Sequence, residues 1–357
     1  MAEQADTPVE DVPSDDPSEL VPFRYFITSY GADYPVDGLV KRIAGGDIFI
    51  PPFQRSYVWT LSQASSFIES LLLGLPVPGI FLSKDDDSQK LLVIDGQQRL
   101  RTLQYFYEGV FEPSKREFAL KGVPSRFEGS TYRSLAEEDR RRLDDSILHA
   151  TIVRQDEPSE DKSSIYHIFE RLNTGGTPLH PQEIRTCIYY GPFSDLLKAL
   201  NDTPTWRSVF GPVSTRMKDQ ELILRFLALY FNGETYRPPL KGFMNDFMGA
   251  NRYLRIHSAD ILTRTFVPTI EVIHRALGDR AFRPKRALNA ALFDAITVAL
   301  ARRLDRGPVK NATLIRERYD GLLVDEAFVA SIETGTTHED NVVRRITKAT
   351  EAFADVE

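Results

Sequence analysis

The sequence predicts an α+β protein, with a mixed α/β N-terminal half followed by a mainly helical C-terminal half. Three observations predict it. Short apolar runs of β type stand at residues 48–50, 79–83, 91–94 and 147–154, all in the first half. Between them lie amphipathic stretches with helical start and stop signals. Beyond about Tyr190 apolar residues recur at helical spacing nearly throughout, and the composition there is free of strand-like runs.

Taken in order, residues 1–22 are acidic, Pro-rich and short of aromatics, which predicts a disordered tail that either solubilises the chain or acts as an electrostatic lid. The run 48–50 starts as a strand and must stop or lie on an edge at Pro51 and Pro52. Thr60 and Gln63 have capping-box spacing, and the helix they open buries Leu61, Ala64, Phe67, Ile68, Leu71 and Leu72 before Gly74 ends it. Residues 79–83 and 91–94 form two strands joined by the acidic KDDDS, a hairpin-like loop. After Asp95 and a single glycine, Leu100, Leu103, Phe106 and Tyr107 mark one face of a helix. A charged helix around 136–143 precedes the strand 147–154. Another helix, buried through Ile165, Ile168, Phe169 and Leu172, ends at Asn173, Thr174, Gly175 and Gly176, and the next begins near Pro181. Six further helices are expected over 219–231, 243–262, 266–277, 288–304, 313–332 and 338–353. The domains read as 1–22 tail, 23–190 mixed α/β and 191–357 helical.

Composition sets limits. Of 357 residues, 42% are hydrophobic and 27% charged, as in a soluble globular protein. The formal net charge is -7, yet the first twenty residues carry seven acidic groups and no Lys or Arg, so the rest is close to neutral and any nucleic-acid surface is a local patch. The single cysteine, Cys187, excludes an intramolecular disulfide and a cysteine-based metal centre. No apolar run reaches the length of a membrane span and the start lacks a signal-peptide pattern, so a cytoplasmic location and no membrane partner are expected.

The chemistry concentrates at IDGQQRLRTL. A strand, a tight glycine turn and a helix N-terminus direct backbone N–H groups and the positive end of the helix dipole at one point, which suits an anion such as phosphate. Arg99 can fork onto phosphate oxygens, Gln97 and Gln98 add amide donors, and Asp95 can hold a divalent metal or orient a water. The pair Gly175 and Gly176 permits successive exposed N–H groups, an anion-binding nest, or a plain C-cap and turn. Trp59 reads as a core residue or a stacking platform. Arg140 to Arg142, and Arg280, Arg283, Lys285 and Arg286, read as solvated faces or DNA contacts. The six histidines, His149, His167, His180, His257, His274 and His338, are scattered without metal-ligand spacing.

Three segments, PPFQRSYVW, IDGQQRLRTL and FERLNTGGTPLHPQEIR, together resemble the GmrS-like family, the N-terminal domain of the GmrSD modification-dependent restriction systems, which the defence protein SspE also carries. The order of elements is similar to that of ParB and sulfiredoxin. The resemblance implies a ParB/sulfiredoxin-like N-terminal domain that binds and hydrolyses a nucleoside triphosphate with Mg2+. Carried over by motif, Asp95, Gln97, Gln98 and Arg99 become the catalytic candidates and Asp95 the metal ligand. Gln54, Arg55, Gly96, Thr102, Asn173, Thr174, Gly175, Gly176 and Thr177 become the nucleotide-binding candidates. A Walker-type P-loop is absent. The larger relatives fuse this domain to a His-Asn-His (HNH) nuclease, and no such motif stands here. The expectation is therefore an NTP-hydrolysing subunit that acts with a separate HNH nuclease on modified or phage DNA. The alternatives are a nucleotide-gated binding module without turnover and a ParB-like nuclease.

Overall fold

The computed structural model describes residues 7–10, 27–50, 57–85, 88–155, 165–166, 168 and 179–357. The chain divides into two compact units, Arg24–Pro178 and Leu179–Glu357, the latter together with Met1–Phe23. The N-terminal region is mixed α/β and the rest is mostly helical, as the sequence predicts. Among the described residues no helix is long and apolar enough to cross a membrane.

In chain order the strands begin with β1 (Val9–Glu10), which belongs to the helical unit. The α/β unit then runs β2 (Ile27–Pro35), α1 (Val36–Ala44), β3 (Ile48–Phe49), α2 (Leu61–Leu72), β4 (Ile80–Lys84), β5 (Leu91–Asp95), α3 (Gln97–Glu108), β6 (Val110–Phe111), β7 (Arg116–Glu117), α4 (Glu137–Asp145) and β8 (Ile147–Gln155). Five of these strands form one mixed sheet in the order β2, β8, β4, β5, β3. In the middle of the sheet β4 and β5 carry apolar runs, with Ile80, Leu82, Leu91, Val93 and Ile94 all buried. In β8, by contrast, Leu148, Ala150 and Ile152 are buried while His149 is exposed, the two-residue period of a strand with unlike faces.

Helix α2 starts as expected, with the reciprocal Thr60 and Gln63 capping bonds in place. Its buried residues, with Val36 and Leu39 of α1 and Leu100, Leu103 and Phe106 of α3, join the strands in one apolar cluster. Phe106 meets Phe118 edge-on at 5.2 Å, and Tyr107 stacks on Tyr132 at 4.1 Å. Both of those tyrosine hydroxyls donate to Asp144. β4 and β5 pair antiparallel, and beyond β4 the Asp85 side chain accepts from the Ser88 N–H.

Strand β2 was not expected. It pairs antiparallel with β8 through nine residue pairs, yet lies at the sheet edge with Thr28 to Gly31 exposed. Residues 28–31 are all exposed, the inward positions Ala32 and Tyr34 are only partly buried, and Gly31 interrupts the β-branched pattern. A Cβ at Gly31 would sit 2.8 Å from the His149 ring across the ladder.

The helical unit corrects several expected boundaries. The expected helices 243–262 and 266–277 fall instead at Leu240–Ala250 and Ala259–Leu277, the second capped by Ser258 and continuing through Pro268. Residues 313–332 divide into Ala312–Leu322 and Glu326–Glu333, because Asp325 caps a new start by accepting from the Phe328 N–H. Helices Pro192–Asn201 and Pro204–Phe210, both opening on proline, had not been singled out. Within the expected tail, Val9–Glu10 pairs in parallel with Leu288–Asn289. Trp206 packs on Phe210, Phe266 and Phe293 at the centre of the unit. Beside this core, buried Asp294 bonds Arg225 and Arg345, each at 2.7 Å. Cys187, on helix Pro181–Ile188, is buried.

Candidate functional site

The strand, glycine, helix junction read from IDGQQRLRTL is present. β5 ends at Asp95, and Gly96 turns the chain with φ of 98° before α3 begins. Glycine is required there twice over. The backbone is left-handed, and a Cβ would stand 2.4 Å from Ile80 Cγ2 on neighbouring β4. Gly96 supplies no side-chain cap, so no hydroxyl or carboxylate from that position covers the first turn of α3.

Asp95 and Arg99 meet across one helical turn, with Arg99 Nη2 2.8 Å from Asp95 Oδ2. The carboxylate is about 44% exposed and the guanidinium only 15%, so the pair presents its acidic side to solvent and buries its basic side. Arg99 Nε is buried and has no hydrogen-bond partner among the described residues. Gln97 lies half-buried at the helix start.

Gln98 and Thr102 take roles the sequence did not reveal. The side-chain oxygen of Gln98 accepts from the backbone N–H groups of Val58 at 3.0 Å and Trp59 at 3.4 Å, fastening that segment to α3. Thr102 is fully buried; its hydroxyl donates to the Gln98 carbonyl at 2.7 Å and contacts the Tyr57 hydroxyl at 2.6 Å. With the Thr102 proton so engaged, Tyr57 is the donor of the second bond. Burial pushes the Tyr57 phenol up to about 12, and its ring stands edge-on to Tyr105 and Phe111. Trp59 is packed, edge-on to Phe67 at 5.7 Å. Sequence reasoning does not give Tyr57 this role. The signal for its role was its place two residues after Arg55 in PPFQRSYVW, opposite a helix whose Gln98 and Thr102 share one face.

Gln54, Arg55, Asn173, Thr174, Gly175, Gly176 and Thr177 lie outside the described residues. Among the described residues no group of three or more His, Cys, Asp or Glu is placed to hold a metal. Of the histidines, His149 pairs with Asp33 and His274 with Asp279, each at 2.8 Å, and His257 stacks on Phe231. His180 opens the Pro181–Ile188 helix as its cap, and burial lowers its pKa. The basic clusters are largely engaged by the protein itself. Arg141 and Arg142 pair with Glu137 and Glu138, Arg283 donates to the Val209 and Phe210 carbonyls, and Lys285 pairs with Glu333 at 2.7 Å.

Fold and turn together define a mixed α/β domain with a DGQQR motif at a helix N-terminus. Residues 36–190 match the family model described as the N-terminal domain of GmrSD restriction endonucleases. The resemblance drawn from the three segments therefore holds over this stretch. It takes in α1 through β8 and also the first helix of the helical unit. The chain is also similar to the uncharacterized protein MJ0686 of Methanocaldococcus jannaschii, at 29% identity over 109 residues. That similarity covers 24% of this chain and 18% of the relative.

Proposed function

We propose that this chain is a nucleoside-triphosphate-binding and phosphate-releasing component of a modification-dependent restriction or anti-phage system, working with a separate HNH nuclease on modified or phage DNA. The observation that carries the reading is the Asp95 to Arg99 junction, an uncapped helix start with an arginine and a carboxylate at its rim. Helix start and guanidinium suit phosphate oxygens. One exposed carboxylate beside a triphosphate is a sufficient protein donor set for Mg2+, which keeps most of its shell as water and phosphate. When bound, the ion would offset charge between the terminal phosphates.

In this reading Arg99 exchanges Asp95 for the terminal phosphate, and Asp95 turns to the metal or to the attacking water. Gln98, Thr102 and Tyr57 act as positioning residues, because they fix the segment that follows Gln54 and Arg55 against α3. The test is nucleotide binding and phosphate release with each of the four NTPs, for wild type and Arg99→Ala. Loss of a charge-assisted phosphate contact should weaken binding by about tenfold or more. A wild-type protein that binds none of the four would end the assignment.

A second reading is a nucleotide-gated module without turnover. The observation that favours it is the Asp95 and Arg99 ion pair itself, which occupies the carboxylate that catalysis requires. Under this reading nucleotide raises DNA or partner affinity while phosphate release stays at background. Asp95→Asn separates the two, since a hydrolase loses turnover and a switch keeps its nucleotide response.

A further inference from the structure

The arginine-rich runs that stand out in the sequence are largely engaged within the fold, but a quieter basic stretch of the helical unit is not. Residues 302–310, which close helix Ala290–Leu304 and lead out of it, carry Arg302, Arg303, Arg306 and Lys310 against one carboxylate, Asp305. Among the described residues none of the four is ion-paired. Arg303 donates to the Val356 and Gly307 carbonyls, and Arg306 to the Ala354 carbonyl at 3.4 Å. From helix Ala259–Leu277, Arg275 donates to the Val309 carbonyl at 2.6 Å, and the Glu357 backbone oxygen accepts from the Lys310 and Asn311 N–H groups. The turn is thus held in one shape. A carbonyl fixes the direction of a guanidinium and leaves its positive charge in place. Asp305, for its part, accepts the Tyr230 hydroxyl at 2.7 Å.

A strip of rings leads away from this turn. Tyr230 meets Phe231 edge-on at 4.8 Å, and Phe231 stacks on His257 at 4.1 Å. Next to His257 stand Ile256, 61% exposed, and Arg255, whose guanidinium lies over the Tyr253 ring at 5.2 Å and meets no carboxylate among the described residues. This loop keeps a strained shape. Leu254 takes a left-handed φ of 56°, and buried Asn251 secures it by accepting from the Leu254 and His257 N–H groups. Strain retained in an exposed loop is a mark of function more than of stability. Cations therefore stand at both ends of the strip, and Glu234, three positions past Phe231, is the acid nearest its middle in the chain.

We propose that these elements form one surface that grips the phosphate backbone of DNA. Arg306 and Lys310 at one end and Arg255 at the other take phosphates, while Ile256 and the half-buried rings of Tyr230 and Phe231 meet the sugars between them. The inference rests on the reading above that this chain acts on DNA. Clustered cations without carboxylate partners are the electrostatic footprint of nucleic-acid binding, because their contacts with phosphates release counterions. An acidic protein segment would supply the charge without sugar edges to cover Ile256 and the rings. Contacts of this kind position DNA and do not read its sequence.

The test is fluorescence anisotropy of the full chain with a labelled duplex and with one of its strands, over a series of salt concentrations, with polyglutamate as competitor. The phosphate backbone is common to both probes, and the tighter one names the form that the surface takes. Wild-type affinity should fall steeply with salt. Arg306→Gln together with Lys310→Gln, both at exposed positions, should lower DNA affinity about tenfold or more and the salt slope by about two, and Arg255→Gln should lower the slope by about one. Arg264→Gln, at an exposed arginine that Asp260 already engages, should change neither. Circular dichroism should match wild type throughout. The proposal is overturned if the wild type binds DNA and the charge variants bind it equally, a result that leaves the DNA reading standing. Polyglutamate that displaces DNA at equal charge concentration would overturn it too. A wild type that binds neither probe, with or without nucleotide, overturns the DNA reading along with it.

Discussion

At the scale of single residues, the Tyr57 hydroxyl, the Thr102 hydroxyl and the Gln98 carbonyl form a relay whose direction is fixed by who holds each proton. Tyr57→Phe removes the first donor and leaves Thr102 bonded to Gln98, so the loss of stability should be about 1 kcal/mol. The same tyrosine gives an alkaline signature. Burial raises its folded-state pKa to about 12 from the ordinary 10. The folded protein therefore keeps this proton where the unfolded chain releases it. The contribution is whole below pH 10 and is lost as pH climbs toward 12. Urea midpoints at pH 9 and 11 should converge more closely in Tyr57→Phe than in wild type; parallel pH slopes would refute it. This relay was hidden in the sequence because Gln98 sits inside DGQQR, where an amide reads as a phosphate donor. Its side-chain oxygen instead accepts from backbone some forty positions earlier, a pairing that local spacing does not encode.

At the scale of elements, the junction between β5 and α3 depends on Gly96. Gly96→Ala places a methyl against Ile80 and forces a non-glycine residue into left-handed backbone. The expected cost is about 2–5 kcal/mol, from strain and overpacking together. A urea midpoint equal to that of wild type would contradict this account. Elements of this kind were legible because their signals are local: a capping box at Thr60, an apolar run ending in a lone glycine, a proline opening helix Pro181–Ile188. Elements whose cause is distant were not. β2 is a strand because β8 lies beside it, and its own alternation is confined to Ala32 and Tyr34, too short a pattern to read from the sequence. Helix Ala259–Leu277 continues through Pro268, which forgoes one backbone hydrogen bond, because Leu262, Phe266, Ile270 and Ile273 are buried along one face. The break at Asp325 is visible afterwards as a capping aspartate, but in the sequence it sits within an unbroken apolar spacing.

At the scale of the molecule, the helical unit is held around a charge cluster as well as an aromatic core. Asp294 is fully buried between Arg225 and Arg345, and Arg345 also donates to the Thr336 carbonyl. Removing the carboxylate leaves two buried guanidinium groups without their shared counter-charge. Asp294→Ala should therefore cost about 3–5 kcal/mol. The measurement is chemical denaturation followed by tryptophan fluorescence, since Trp206 lies within this unit; a change below 1 kcal/mol, well under the cost of an uncompensated buried charge, would contradict the cluster's role. At this scale the sequence conveyed the division between α/β and helical halves, while the partners of Asp294, 69 residues away in one case and 51 in the other, come only from the packing. The buried Cys187 has a practical consequence of a different kind. The chain's only thiol is closed off inside the helical unit. Toward bulky maleimide reagents the native protein behaves as a cysteine-free background. Reporter dyes could then be attached at cysteines introduced at chosen surface positions on either unit without first removing Cys187. Whether an added nucleotide changes the distance between the two units then becomes measurable by energy transfer between two introduced cysteines, with Cys187 left in place.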